Sequence, residues 1–278
     1  MNNFLTFDIE EWYHANFEGF DFSKYIGQKT NLEKNVDSLI ELCSQYSVKS
    51  TCFVLGQVGE NSPQIVKKLY NEGHEIASHG YGHQLVYNMN PDTFKSDLKK
   101  SCDILENITG DKIKGYRAPA WSVKKETLEW YYSVLEELGL EYSSSVYPAK
   151  TFLYGIPDFP EKIHYPLVKG KKVTILEIPG SVVNIMGKKV GFSGGFYLRI
   201  FPAWFINKNI KSKNLKGESV FVYLHPREID KNGPRLILPF KERLIHYWGI
   251  TGTKKKLNKI IHNFSQSFML IRDFRDRN

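Results

Sequence analysis

Apolar residues in the first half of the chain fall into two alternating patterns: short dense runs, and longer stretches where they return every three or four positions. The dense runs are Phe4-Leu5-Thr6-Phe7, Ser50-Thr51-Cys52-Phe53-Val54-Leu55 and Glu75-Ile76-Ala77-Ser78. Their length and composition predict strands. Leu32, Val36, Leu39, Ile40 and Cys43 return at helical spacing behind Thr30-Asn31-Leu32-Glu33, which reads as a capping box. Ser62-Pro63 opens a helix on Ile65, Val66 and Leu69, with proline at its first position and Gly73 at its end. Asn90-Pro91 opens another on Phe94, Leu98, Cys102, Leu105 and Ile108, and a further helix is expected from Lys124 to Leu138. Four such βα units in about 140 residues predict a parallel sheet covered by helices, either open or closed into a barrel.

The second half is less regular. Gly155-Ile156-Pro157, Pro179-Gly180 and Gly194-Gly195 punctuate it, with strand-like runs at Val173–Ile178 and Ser219–Leu224. An amphipathic helix on Leu257, Ile260, Ile261 and Phe264 closes the chain. No internal repeat or linker interrupts this order, which predicts one main domain over residues 1–230 and a C-terminal extension over 231–278 packed on it.

Composition narrows the classes. The 278 residues are 41% apolar and 14% aromatic, ample for a sizeable core. Cys43, Cys52 and Cys102 lie far apart and form no CxxC, as expected of buried thiols in a reducing compartment. No basic n-region or apolar h-region precedes the first strand, and no apolar run approaches the roughly 20 residues of a membrane span. A cytoplasmic protein is therefore expected. The net charge of +8 is uneven, since Glu177 is the only acid between Lys169 and Lys216. That stretch reads as a solvated basic face or as an attraction for anionic partners. No nucleic-acid module accompanies it, so nucleic acid is not an expected partner. Within it, Gly191–Lys216 combines aromatics with a basic end, which fits core packing with a basic flank and also fits peripheral membrane contact.

Chemistry gathers where predicted strands end, the usual place for functional side chains in parallel α/β folds. Asp8 and Glu10 follow the first run and share a strand face, while Glu11 lies elsewhere. Two carboxylates on one face suit one cation ligand and one base, and equally suit structural caps or ion pairs. His79 and His83 in Ser78-His79-Gly80-Tyr81-Gly82-His83 are spaced to converge on a metal, and the glycines imply a bend there. Glu10, His79 and His83 would complete a zinc-type set with a position left for water. Arg117 in Gly115-Tyr116-Arg117-Ala118-Pro119-Ala120-Trp121 could grip a carboxylate beside a Trp121 wall, or serve as a structural ion pair next to a core indole. His225 follows the run Val222-Tyr223-Leu224 directly, where a histidine is either structural or catalytic.

The joint order of these motifs resembles the NodB-homology polysaccharide deacetylases, metal-dependent carbohydrate esterases on a distorted (β/α) barrel. The resemblance is carried by Thr51-Cys52-Phe53-Val54-Leu55-Gly56 through Glu60-Asn61-Ser62-Pro63 to Gly73-His74-Glu75-Ile76-Ala77-Ser78-His79-Gly80, and spans roughly residues 4–230. The tail from Arg243-Leu244-Ile245-His246-Tyr247 is similar to an extension in a subgroup associated with exopolysaccharide biosynthesis. The resemblance implies an α/β fold of that distorted barrel type and one divalent metal, zinc by preference. It implies Asp8 as catalytic base, His79 and His83 as metal ligands, Arg117 and Pro119 as the arginine motif, and His225 as general acid. The family's common pair of adjacent aspartates is broken here by Ile9, so Glu10 takes the ligand role. Ser143 stands where relatives tend to carry an aspartate. Tyr116, Pro119, Trp121 and Arg199 are the expected substrate contacts. The implied reaction is removal of acetate from an N-acetylated sugar of a glycan or of a nucleotide- or lipid-linked precursor. Two rivals share the motifs: a metal-dependent amidohydrolase acting on a non-sugar or cyclic amide, and a non-catalytic carbohydrate-binding relative.

Overall fold

The structure is a computed structural model, and it describes residues 2–17, 19–151 and 154–276. Seven parallel strands form one curled sheet: β1 (Phe4–Ile9), β2 (Thr51–Val54), β3 (Glu75–Ser78), β4 (Gly115–Tyr116), β5 (Tyr142–Ser143), β6 (Leu176–Glu177) and β7 (Phe221–Leu224). Their order in space is β7-β1-β2-β3-β4-β5-β6. Covering and flanking helices are α1 (Leu32–Ser44), α2 (Gly56–Asn61), α3 (Pro63–Asn71), α4 (Pro91–Thr109), α5 (Leu128–Glu137), α6 (Gly195–Ile200), α7 (Ala203–Leu215), α8 (Phe240–Tyr247), α9 (Ile250–Phe264) and α10 (Ile271–Arg275).

Strand alternation sorts β1 between two cores. Leu5, Phe7 and Ile9 join the outer core beneath the helices. Phe4 joins the inner core with Phe53, Tyr142, Phe221 and Tyr223. Burial on both faces explains why these strands read as unbroken apolar runs. The edges β6 and β7 do not pair with each other. The chain from Ser181 to Gly194 fills the gap: Ser193 Oγ donates to the Phe221 carbonyl at 2.8 Å, and Gly194 bridges Tyr223 in parallel. The result is an open, distorted barrel.

Local detail departs from the sequence reading in two places. The capping box at Thr30 does not form, because the Thr30 hydroxyl is committed to Glu11 and to the Leu32 amide, and Asn31 is the N-cap residue. A reciprocal box forms at Asn90 and Thr93 instead. The helix expected from Lys124 begins only at Leu128, since the Thr127 side chain closes a turn on Lys124. Of the two readings of 191–216, core packing is the one that most of its aromatic residues fit. Phe192 is fully buried, Phe201 and Phe205 pack on the outer core, and Tyr197 packs on the inner one.

The last helices seal the molecule. Leu257, Ile260 and Ile261 of α9 are fully buried in the outer core. Past α9 the chain crosses the N-terminal end of the barrel, where the Ile271 amide donates to Thr51 Oγ1 and the Arg272 amide to Glu75 Oε2. All three cysteines are free, and burial pushes the Cys43 and Cys102 thiols up to about 12. No helix among the described residues is long and apolar enough to cross a membrane.

Candidate active site

At the opposite, C-terminal end of the strands lies a cavity of about 630 Å³. Asp8 ends β1 with its side chain on the inner face. It is 2% exposed, and its Oδ1 accepts from Arg117 Nη1 at 2.7 Å. Arg117 follows β4 and is wholly buried. Its other donors reach Thr6 Oγ1 at 2.9 Å, Ser144 Oγ at 3.1 Å and the Ser144 carbonyl at 3.3 Å. Rings of Phe53, Trp121 and Phe221 lie 4.0, 4.9 and 5.2 Å from its guanidinium carbon. A cation so far from water needs this carboxylate and these π faces together.

Glu10, His79 and His83 meet beside Asp8, with one donor atom from each lying within 4.8 Å of the others. Glu10 Oε2 is 2.7 Å from His83 Nε2 and 3.8 Å from His79 Nε2. Oε2 nevertheless accepts no well-angled hydrogen bond, although it is buried. Three donors that approach without bonding one another fit a shared cation. His79 Nδ1 donates to the Arg117 carbonyl at 2.8 Å, which leaves Nε2 as the ligand atom. Burial lowers the His79 pKa to about 4, so the ring is neutral at pH 7, as a ligand must be. Burial opposes ionisation of Glu10, but His83, His225 and Arg227 more than offset it and hold its pKa well below the usual range. The bend that delivers His83 rests on α4. Asp97 accepts from the Tyr81 amide at 2.8 Å and the Gly82 amide at 3.3 Å. Gly80 sits there at φ +80°, where a Cβ would also meet Asp97 at 3.0 Å.

His225 follows β7, the strand that pairs with β1, and so stands next to Asp8 and Glu10. Its Nε2 lies 3.8 Å from Asp8 Oδ2 and 3.7 Å from Glu10 Oε1. Its Nδ1 donates to Glu228 Oε2 at 3.0 Å, so Nε2 is the nitrogen that faces the cavity. Burial would lower the His225 pKa, but Glu10 and Glu228 together raise it. Glu228 is tied in turn: Arg199 Nε donates to its Oε1 at 2.7 Å, while Arg199 Nη1 and Nη2 each reach a carbonyl at 2.7 Å, those of Trp248 and Ile245.

Asp8, Glu10, His79, His83, Arg117 and His225 thus converge as a set. Trp121 lines the cavity. Tyr116 does not: its ring lies on the helical side against Phe94 and Tyr131. Pro119 is buried in the turn before Trp121 and is no cavity wall. Arg199 lines the cavity, with its guanidinium bonded to Glu228 and to the Trp248 and Ile245 carbonyls. Ser143 bonds Tyr131 and Ser145 beneath the site. The carboxylate beside His225 comes instead from Glu228, which sequence reasoning missed. The signal was His225-Pro226-Arg227-Glu228, a helix start with glutamate at the third helical position. His14 was missed too. Its Nδ1 accepts from the Glu11 amide at 3.0 Å, and its ring stacks 4.9 Å from that of His83.

Residues 4–143 match the family model described as polysaccharide deacetylase, and residues 144–273 match a domain of unknown function (DUF3473). A peptidoglycan-N-acetylglucosamine deacetylase of Bacillus cereus is 34% identical over 92 residues, 33% of this chain and 34% of that protein. A peptidoglycan deacetylase of Helicobacter pylori is 27% identical over 160 residues, 54% of this chain and 53% of that protein. The chain therefore spans between about a third and about half the length of these relatives. A crystal structure of a candidate polysaccharide deacetylase of Mycobacterium smegmatis superposes with a TM-score of 0.67 at 19% identity, covering 99% of this chain and 89% of that one. At that identity the likeness shows the fold.

Proposed function

Because this chain belongs to the polysaccharide deacetylase family, we propose that it is a metal-dependent N-deacetylase, removing acetyl from an N-acetylated sugar of a glycan or glycan precursor. One observation carries the reading: one donor atom each of Glu10, His79 and His83 lies within 4.8 Å of the others, and beside Glu10 the Asp8 carboxylate and the His225 imidazole stand 3.8 Å apart at the cavity. A divalent ion held by those donors, zinc by their nitrogen and oxygen character, would supply Lewis acidity and acidify a water. Asp8 uses Oδ2, the oxygen that Arg117 leaves free, to take a proton from the attacking water. Arg117 fixes the direction of that carboxylate through Oδ1. His225, charged and oriented by Glu228, gives its Nε2 proton to the departing sugar amine. Amide and water become free amine and acetate. The proposal includes a cytoplasmic setting, supported by the three free thiols, and a role in exopolysaccharide biosynthesis, supported by the likeness of the tail.

The test combines metal analysis of the purified chain with an acetate-release assay on N-acetylglucosamine oligomers. Asp8→Asn should retain metal and ligand affinity while turnover falls by roughly 10³-fold. Metal-loaded protein that releases no acetate from any N-acetylated glycan, or opens a cyclic amide instead, would overturn the proposal.

A further inference from the structure

Large apolar side chains left in water gather on one short stretch. Ile237, Phe240, Leu244 and Trp248 are 88%, 67%, 37% and 61% exposed. Leu236 and Leu238 anchor either side of Ile237 in a cluster with Trp12 and Tyr13, which holds Ile237 outward. Phe240, Leu244 and Trp248 recur every fourth position, so they form one stripe along α8 and its cap. Scattered exposed hydrophobics need no explanation, but an ordered stripe does.

The charge around the stripe is one-sided. Arg235, Lys241 and Arg243 flank the stripe against a single acid, Glu242. Arg243 lies 5.7 Å from the Phe240 ring and Arg235 lies 4.3 Å from that of Tyr247. The same helix also reaches the catalytic cavity, because Ile245 and His246 line it. The helix that carries the stripe therefore also forms part of the cavity wall. A second copy of this chain would bring the same cations face to face. A surface with negative charge outside and hydrocarbon beneath complements both features at once.

We propose that residues 235–248 dock this protein peripherally on an anionic lipid bilayer, with the cavity beside the membrane, so that its substrate is a glycan presented at that surface. The docking stands on the patch alone. The statement about substrate rests on the deacetylase reading.

The full chain is sedimented with vesicles of phosphatidylcholine alone, and of phosphatidylcholine with roughly one third phosphatidylglycerol. Binding is expected to the anionic vesicles only, weakening about tenfold or more in high salt. An Ile237→Ser, Phe240→Ser double variant should bind about tenfold more weakly, with an unchanged thermal midpoint and unchanged acetate release from a soluble oligomer. Absence of vesicle binding would overturn the proposal, as would equal binding by the double variant. So would a concentration-dependent dimer that the two substitutions abolish while vesicles are ignored. Vesicle binding without acetate release from any N-acetylated glycan would support docking and sink the deacetylase reading. Acetate release without vesicle binding would do the reverse.

Discussion

Glu10 and Glu228 together set the charge state of His225. Burial alone would favour the neutral ring, and Glu10 at 3.7 Å together with Glu228 at 3.0 Å reverses that preference. A raised pKa keeps the imidazole protonated further into the alkaline range, which a general acid needs. In Glu228→Gln one of the two negative charges is gone, so burial weighs more heavily against the charged ring. The alkaline limb of the pH–rate profile should move to lower pH and kcat should fall roughly 10–100-fold with little change in KM; an unmoved limb would reduce Glu228 to scaffolding. His74 offers a second titration, away from the cavity. It is 1% exposed and accepts from the Ser50 amide at 3.0 Å, and burial lowers its pKa from 6.5 to about 4. Its folded pKa lies below the unfolded one, so the unfolded chain binds the extra proton. Stability is full above pH 6.5 and falls as pH drops towards 4, by at most about 3 kcal/mol. His74→Asn keeps an acceptor without the titration, and urea midpoints measured between those limits should flatten. At this scale the sequence revealed the residues that end strands. Tyr116 misled because Arg117 points into the barrel, and its neighbour must then point out to the helices. Glu228 stayed hidden because its partner is a side chain across a tight turn, which periodicity does not report.

Among elements, the closure between β6 and β7 depends on one residue without a side chain. A Cβ on Gly194 would sit 1.8 Å from the Tyr223 ring, whose own place in the inner core is fixed by Phe221 and Trp121. Gly194→Ala should cost about 2–3 kcal/mol by denaturant unfolding and should lower turnover, because Tyr223 also borders the cavity. An unchanged midpoint would mean that the gap tolerates a wider spacing. The βα units ahead of residue 143 were readable because their runs and helical faces are long and uniform. The runs at Val173–Ile178 and Ser219–Leu224 also contain β6 and β7, but β5 left no run, and β5 and β6 are only two residues each. They are held by side-chain bonds such as Glu177 Oε1 accepting from the Ser145 and Val146 amides at 2.9 and 3.0 Å. Pairing of that kind leaves little hydrophobic signature.

Over the whole molecule, stability and chemistry occupy opposite ends of one barrel. Ile271 is fully buried and plugs the end where Thr51 and Glu75 begin their strands. Ile271→Ala should therefore lower stability by about 2–4 kcal/mol while kcat stays within about twofold; a large loss of turnover at unchanged metal content would show the two ends to be coupled. The amphipathic closing helix was visible in the sequence, but its packing on α6, α7 and the turn at Pro226–Ile229 was not, because contacts between separate elements leave no local pattern. The buried thiols have a practical corollary. With Cys43 and Cys102 pushed up to about 12 and Cys52 sealed in the core, maleimide chemistry at neutral pH meets little competition. A cysteine introduced at Met186, 98% exposed, would accept a fluorophore selectively in the otherwise native chain.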